Sequence, residues 1–152
     1  MENTSIETIH IVGIAKRTTN ENQQAAKDIP LLWEKFISED IANKISKKTN
    51  DNIYAIYSDY ESDHTKPYTI YIGCPVESLD NIPENMVSKT IFKGNYTKFI
   101  AKGDYKQGSV YNEWMKIWNT PLDRKYTTDF EVYSEKSKDL AKAEVPIYIS
   151  IK

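Results

Sequence analysis

The chain has 152 residues, 39% of them hydrophobic and 28% charged, and a formal net charge of −2. That is enough chain to enclose one core but too little for two comfortable domains, so a single domain over 1–152 is expected. The mildly acidic balance argues against the electropositive footprint of a nucleic-acid binder.

The opening stretch, MENTSIETIHIVGIAKRT, lacks the charged region, apolar run and small-residue cleavage site of a signal peptide. No apolar run is long enough to cross a bilayer, which predicts a cytoplasmic protein without membrane contact. Ile6 to Arg17 is rich in β-formers. KDIPLLWEKFISEDIANKIS then sets Ile29, Leu32, Trp33, Phe36, Ile37 and Ile41 on one helical face, with Asp28 placed as N-cap and Pro30 in the first turn. Ile53 to Tyr60 and Tyr68 to Val76 read as a hairpin across the polar loop ESDHTK. A strand near Tyr96 to Ala101 leads through KGD into a helix carrying Val110, Tyr111, Trp114, Ile117 and Trp118. Thr127 to Ser134 and Val145 to Ile151 form a second hairpin. Cys74 stands alone and His10 and His64 are isolated, so neither a disulfide nor a metal site is expected. No cofactor is implied.

Four short matches recur in the same order: IAK at 14–16 and 100–102, WEKFI at 33–37 with WMKIW at 114–118, YAIYSD at 54–59 with FEVYSE at 130–135, and IYI at 70–72 and 147–149. They predict a duplicated βαββ unit, with halves at about 6–76 and 90–151. The fold class is α+β: antiparallel sheets backed by two helices, with a central groove on a pseudo-twofold axis.

Tyrosine is abundant, with 11 copies against five glycines. Alternation along the strands sets Ile56, Ile70, Ile72, Val132, Ile147 and Ile149 apart from Tyr57, Tyr71, Tyr133 and Tyr148. The aliphatic face is expected beneath the helices, with Cys74 continuing it as an inert buried thiol. The tyrosine face, which also carries Glu131, has the composition of a groove. Tyrosines also pair across strands without any ligand. Glu131 is the sharper signal, because the first repeat has Ala55 in its place: the duplicated scaffold does not require a carboxylate there.

HIVGIAKRT, YTIYIGCPV, NYTKFIAKGDY, VYNEWMKIW, DFEVY and VPIYISI, in this order and spacing, resemble the GyrI-like, or bacterial transcription-activator effector-binding, domains over nearly the whole chain. The resemblance implies a duplicated βαββ fold whose axial groove binds small molecules, often lipophilic cations. It places the family's functional glutamate at Glu131 and its groove aromatics at Tyr133, Trp114, Trp118 and some of the hairpin tyrosines, among which the alternation offers Tyr57, Tyr71 and Tyr148. Many relatives carry a helix-turn-helix ahead of this domain. Here the first strand begins near residue 6, which predicts a stand-alone ligand-binding domain with no direct DNA contact.

The leading expectation is a non-enzymatic binder of amphipathic cations, using an aromatic face and a counter-charge. A hydrolase using Glu131 is the first alternative, although no Ser/His/Asp or Cys/His constellation accompanies that carboxylate. A protein-interaction module, such as a gyrase inhibitor with an unidentified protein partner, is the second.

Overall fold

The computed structural model describes residues 1–152, with every side chain except that of Leu140. Its strands are β1 (Glu2–Ile6), β2 (Ile9–Thr18), β3 (Ile53–Ser58), β4 (Tyr68–Val76), β5 (Val87–Ile91), β6 (Gly94–Lys102), β7 (Thr128–Tyr133) and β8 (Glu144–Ser150). Helices α1 (Gln24–Ser38) and α2 (Ile41–Lys44) follow β2, and α3 (Ser109–Trp118) follows β6. All strands join one antiparallel sheet in the order β1-β6-β8-β7-β3-β4-β2-β5.

The order is palindromic. Strands β2, β3 and β4 of one half correspond to β6, β7 and β8 of the other, and the halves meet where β3 pairs with β7. The leading strands β1 and β5, absent from the sequence reading because they are short and polar, are exchanged: each pairs with the other half's first long strand. This exchange curls the sheet. Six strand spacings of about 4.8 Å separate β1 from β2 along the ladder, yet only Glu7 and Thr8 join them, a reach of roughly 10 Å. Only a nearly closed sheet satisfies both distances. The hairpin between β5 and β6 crosses the same gap, and the Lys93 N–H donates to Thr8 Oγ1 at 3.2 Å.

The curl divides the apolar residues in two. Inside it lie Ile11, Tyr54, Ile56, Ile91, Tyr96 and Phe130. Outside, α1 covers Ile14, Ile70, Ile72 and Cys74, while α3 covers Phe99, Val145, Ile147 and Ile149. Burial pushes the Cys74 thiol up to about 11, which keeps it protonated and inert.

Strand register corrects the repeat alignment. Ala55 pairs with Ile72, and Glu131 with Ile147, so Ile72, rather than Ile70, is the counterpart of Ile147. Likewise Ile14 pairs with Ile72 and Phe99 with Ile147, which makes Phe99, rather than Ile100, the counterpart of Ile14. The identical tripeptides were offset by one or two residues from the structural repeat. Asp28 is not an N-cap: α1 begins at Gln24, Pro30 lies inside the helix, and the Asp28 carboxylate accepts from Thr18 and Gln24.

Gly13 faces Gly73 across β2 and β4, and a Cβ at Gly13 would stand 2.0 Å from the Ile72 carbonyl oxygen. This close backbone approach is where glycine lets the sheet bend. Gly13→Ala should therefore destabilise the fold by about 1–3 kcal/mol, as overpacking does. Gly94→Ala, whose Cβ meets nothing nearer than 3.9 Å, should change the denaturation midpoint little; equal effects of the two substitutions would refute the close-approach account.

Candidate functional site

The β3–β7 register places Ala55 opposite Glu131, flanked by Tyr54 opposite Val132 and Ile56 opposite Phe130. Since Tyr54 corresponds to Phe130 and Ile56 to Val132, the Ala55–Glu131 pair lies on the pseudo-twofold axis. One carboxylate therefore serves both halves, because alanine occupies the equivalent place.

Glu131 is 1% exposed and accepts three hydrogen bonds. The Tyr133 hydroxyl donates to Oε1 at 2.6 Å; the Tyr57 hydroxyl, at 2.8 Å, and the Trp114 indole N–H, at 2.6 Å, donate to Oε2. Tyr57 and Tyr133 are symmetry counterparts, each two residues beyond the axial pair, and each takes one carboxylate oxygen. Burial raises the Glu131 pKa from its ordinary value, and the bonds from Tyr133, Trp114 and Tyr57 oppose that rise. Both tyrosine hydroxyls are held well above their ordinary range, first by burial and then by the charge of Glu131.

The aromatic walls repeat across the axis. Trp114 meets Tyr57 edge to face at 5.1 Å and 66°, and Trp33 of α1 meets Tyr133 at 5.0 Å and 77°. Tyr68 extends the first pair at 6.0 Å from Tyr57, and Tyr105 extends the second at 5.7 Å from Tyr133. Trp33 was absent from the candidate set, although its match to Trp114 in the repeat was the signal that could have included it.

Two predicted groove residues lie elsewhere. Tyr71 pairs with Ile56 and Tyr148 with Phe130, so both face the inside of the curl, with the sheet between them and Glu131. The cause is register: Tyr57 sits beside Ile70, not Tyr71, so the tyrosines of adjacent strands alternate in opposite phase. Tyr57, Glu131 and Tyr133 instead share the helix-covered face with Ile70, Ile72, Ile147 and Ile149. The Tyr71 hydroxyl donates to Asp59, while Tyr148 stacks on Phe130 at 4.8 Å. Trp118 lies beside the carboxylate cluster rather than in it, 6.3 Å from Trp114 and stacked on His64 at 5.7 Å.

A second buried acid was also missed. Asp129, 0% exposed, accepts from Arg124 at 2.7 Å, Tyr60 at 2.6 Å and the Ser150 backbone N–H at 2.9 Å. The Arg124 guanidinium carbon lies 4.2 Å from the Tyr126 ring centre. Asp129 therefore has a cationic partner, whereas the three groups bonded to Glu131 are neutral donors.

A duplicated, curled antiparallel sheet with helices over one face is a fold shared with effector-binding proteins. The family described as "Cass2: Integron-associated effector binding protein" matches residues 4–151, and the chain belongs to it. An integron cassette protein, VCH_CASS2, from the mobile metagenome of Vibrio cholerae is 31% identical, with a TM-score of 0.79 over 99% of this chain and 95% of that one. YobU of Bacillus subtilis, named a "putative transcriptional regulator protein", is 28% identical over 98% of this chain and 96% of its own length. The structure of SAV2435 bound to tetraphenylphosphonium shares the fold at 18% identity, with a TM-score of 0.82 over 99% of this chain and 93% of that one.

The two acids should contribute differently to stability. Arg124→Met leaves Asp129 buried without its cation and should cost about 3–5 kcal/mol in denaturant unfolding. Glu131 binds its proton more tightly folded than unfolded, so the folded state holds more protons between the ordinary and raised values, and stability falls as pH rises through that interval. Glu131→Gln removes this decline. A wild-type-minus-variant stability difference independent of pH there would show that burial does not penalise the ionised form.

Proposed function

We propose that this protein binds small amphipathic cations between α1 and α3, with Glu131 as the counter-charge and Tyr57, Tyr133, Trp33 and Trp114 as the aromatic walls. Trp118 supports the Trp114 wall from behind. The observation that carries this reading is a carboxylate with only neutral hydrogen-bond partners, set beneath symmetric aromatic pairs. Keeping a carboxylate away from water costs several kcal/mol without a cation, and aromatic faces attract positive charge by about 0.5–2 kcal/mol per contact. A ligand cation supplies the missing charge.

Membership in an effector-binding family and the tetraphenylphosphonium complex of SAV2435 support the same class of ligand. The reading places the chain among the wider GyrI-like domains and gives it a sensing or sequestering role. The named regulatory relative favours sensing. Binding is favoured over hydrolysis because Glu131 spends both oxygens on Tyr and Trp donors, and a general base needs access to the proton it removes. With Glu131 1% exposed, entry of a ligand requires the overlying rings to move.

Calorimetric titration at fixed salt tests the charge. Tetraphenylphosphonium should lose about 1–3 kcal/mol of affinity for Glu131→Gln, the range of charged hydrogen bonds, whereas the neutral probe triphenylphosphine oxide should lose much less. Cation affinity should rise with pH through the elevated Glu131 pKa, because only the ionised form attracts the ligand. Equal losses for the two probes, or cation binding indifferent to pH in that range, would reject Glu131 as the counter-charge.

A further inference from the structure

We propose that residues 61–66, in the turn between β3 and β4, form a strap latched onto the second half of the molecule by the ring of His64, and that the latch opens when this ring takes up a proton. The proposal holds whatever the axial site binds. The strap is self-contained: the Glu61 N–H donates to the Pro67 carbonyl at 2.9 Å and closes its base, while inside it the Thr65 N–H donates to Asp63 Oδ1 at 2.9 Å and the Lys66 N–H to the Asp63 carbonyl at 3.2 Å. The base is anchored by Tyr60, which donates to the buried Asp129. The tip is held by few contacts. The His64 ring lies nearly parallel to Trp118 of α3, at 5.7 Å and 9°, and to Tyr126, at 6.4 Å and 18°. The Asn20 side-chain amide donates to the His64 carbonyl at 2.9 Å, and Lys66 comes only within 3.8 Å of Glu21, both side chains more than half exposed. Once the ring leaves its stack, the strap is free to swing as a unit.

Two chains of contact run from the latch into the interior. Trp118 packs on Trp114 at 6.3 Å, and Asn20 accepts from the Tyr68 hydroxyl at 2.7 Å, whose ring lies 6.0 Å from Tyr57. The latch also sits beside a charge pair that is already complete. Arg124 bonds Asp129 at 2.7 Å and lies 4.2 Å from the Tyr126 ring centre, so the carboxylate and the ring that could steady a second cation are taken. The Tyr126 hydroxyl lies 3.5 Å from His64 Nδ1. Asp63 on the strap and Asp129 on β7 favour a proton on His64, as does the face of Trp118. Burial and the Arg124 charge oppose it and prevail, holding the His64 pKa below its ordinary value. A released ring regains its ordinary proton affinity, so the open strap binds more protons than the closed one. The latch is fully set above the ordinary histidine value and weakens as pH falls from there toward the lowered one.

Proton NMR of the imidazole rings tests this, the two histidines being told apart by the resonance missing from His64→Phe. In the wild type the His64 Cε1 proton should be shifted upfield by the stacked rings, titrate with a midpoint below about 6.5, the ordinary histidine value, and lose its upfield shift in the same transition. Hydrogen exchange of the strap amides, divided by that of His64→Phe at the same pH to cancel the intrinsic pH dependence, should rise about threefold or more from about pH 8 to about pH 5.5. His64→Phe keeps a flat ring against Trp118 without a titrating group and should protect the strap as the wild type does at the higher pH. His64→Ala should leave it exchanging fast at both. A midpoint at or above the ordinary value, an upfield shift that survives protonation, an exchange ratio unchanged by acid, or a strap as protected in His64→Ala as in the wild type would each overturn the latch. These readouts need no ligand, so they stand or fall separately from the cation site.

Discussion

The hydrogen bonds from Tyr57, Tyr133 and Trp114 to Glu131 are the constraint around which the molecule is organised. They tie both halves of the sheet and helix α3 to one atom group on the axis between β3 and β7. A buried carboxylate needs hydrogen-bond partners to offset its desolvation. The central strands must therefore hold a register that presents both tyrosines to it. A one-residue slip of β7 would turn Glu131 and Tyr133 together to the inside of the curl, away from Tyr57 and Trp114.

Asp129 and Glu131 are two residues apart on one strand face, both buried, and are treated differently by their surroundings. Asp129 is closed off by a guanidinium, a phenol and a backbone N–H, which ties β7, the preceding loop and β8 together. Such an ion pair contributes less by net attraction than by the penalty for breaking it. Glu131 is held by groups that stabilise its charge without cancelling it. The first arrangement pairs the acid with a protein cation; the second leaves it with neutral donors alone.

The curl explains why the site lies under the helices. Exchange of β1 and β5 draws the ends of the sheet together and fills the inner face with Ile11, Ile56, Ile91, Tyr96 and Phe130. The outer face keeps two helix-covered cores with a seam between them, and Tyr57 and Tyr133 border both cores at that seam. Duplication thus produces a symmetric seam, and the divergence of one axial position, alanine in one strand and glutamate in the other, gives it a charge.

The sequence by itself determined the types of the longer elements and the duplication, and it singled out Glu131 as a departure from the repeat. Period-two and period-3.6 patterns are local consequences of strand and helix geometry, and an unneeded glutamate opposite Ala55 stands out without coordinates. It also picked out Tyr57, Tyr133 and Trp114, the three residues that donate hydrogen bonds to Glu131, because the repeat and the resemblance marked the same segments. Only the tertiary structure decided which residues meet. Alternation assigns faces within a strand but does not fix the phase between strands, so Tyr71 and Tyr148 shared a predicted face with Glu131 until pairing put the sheet between them. The short polar strands β1 and β5, the pairing of Arg124 with Asp129 and the place of Trp33 beside Tyr133 all arise from contacts distant in sequence. Register is set by the whole sheet closing on itself, a constraint that no single stretch of residues contains.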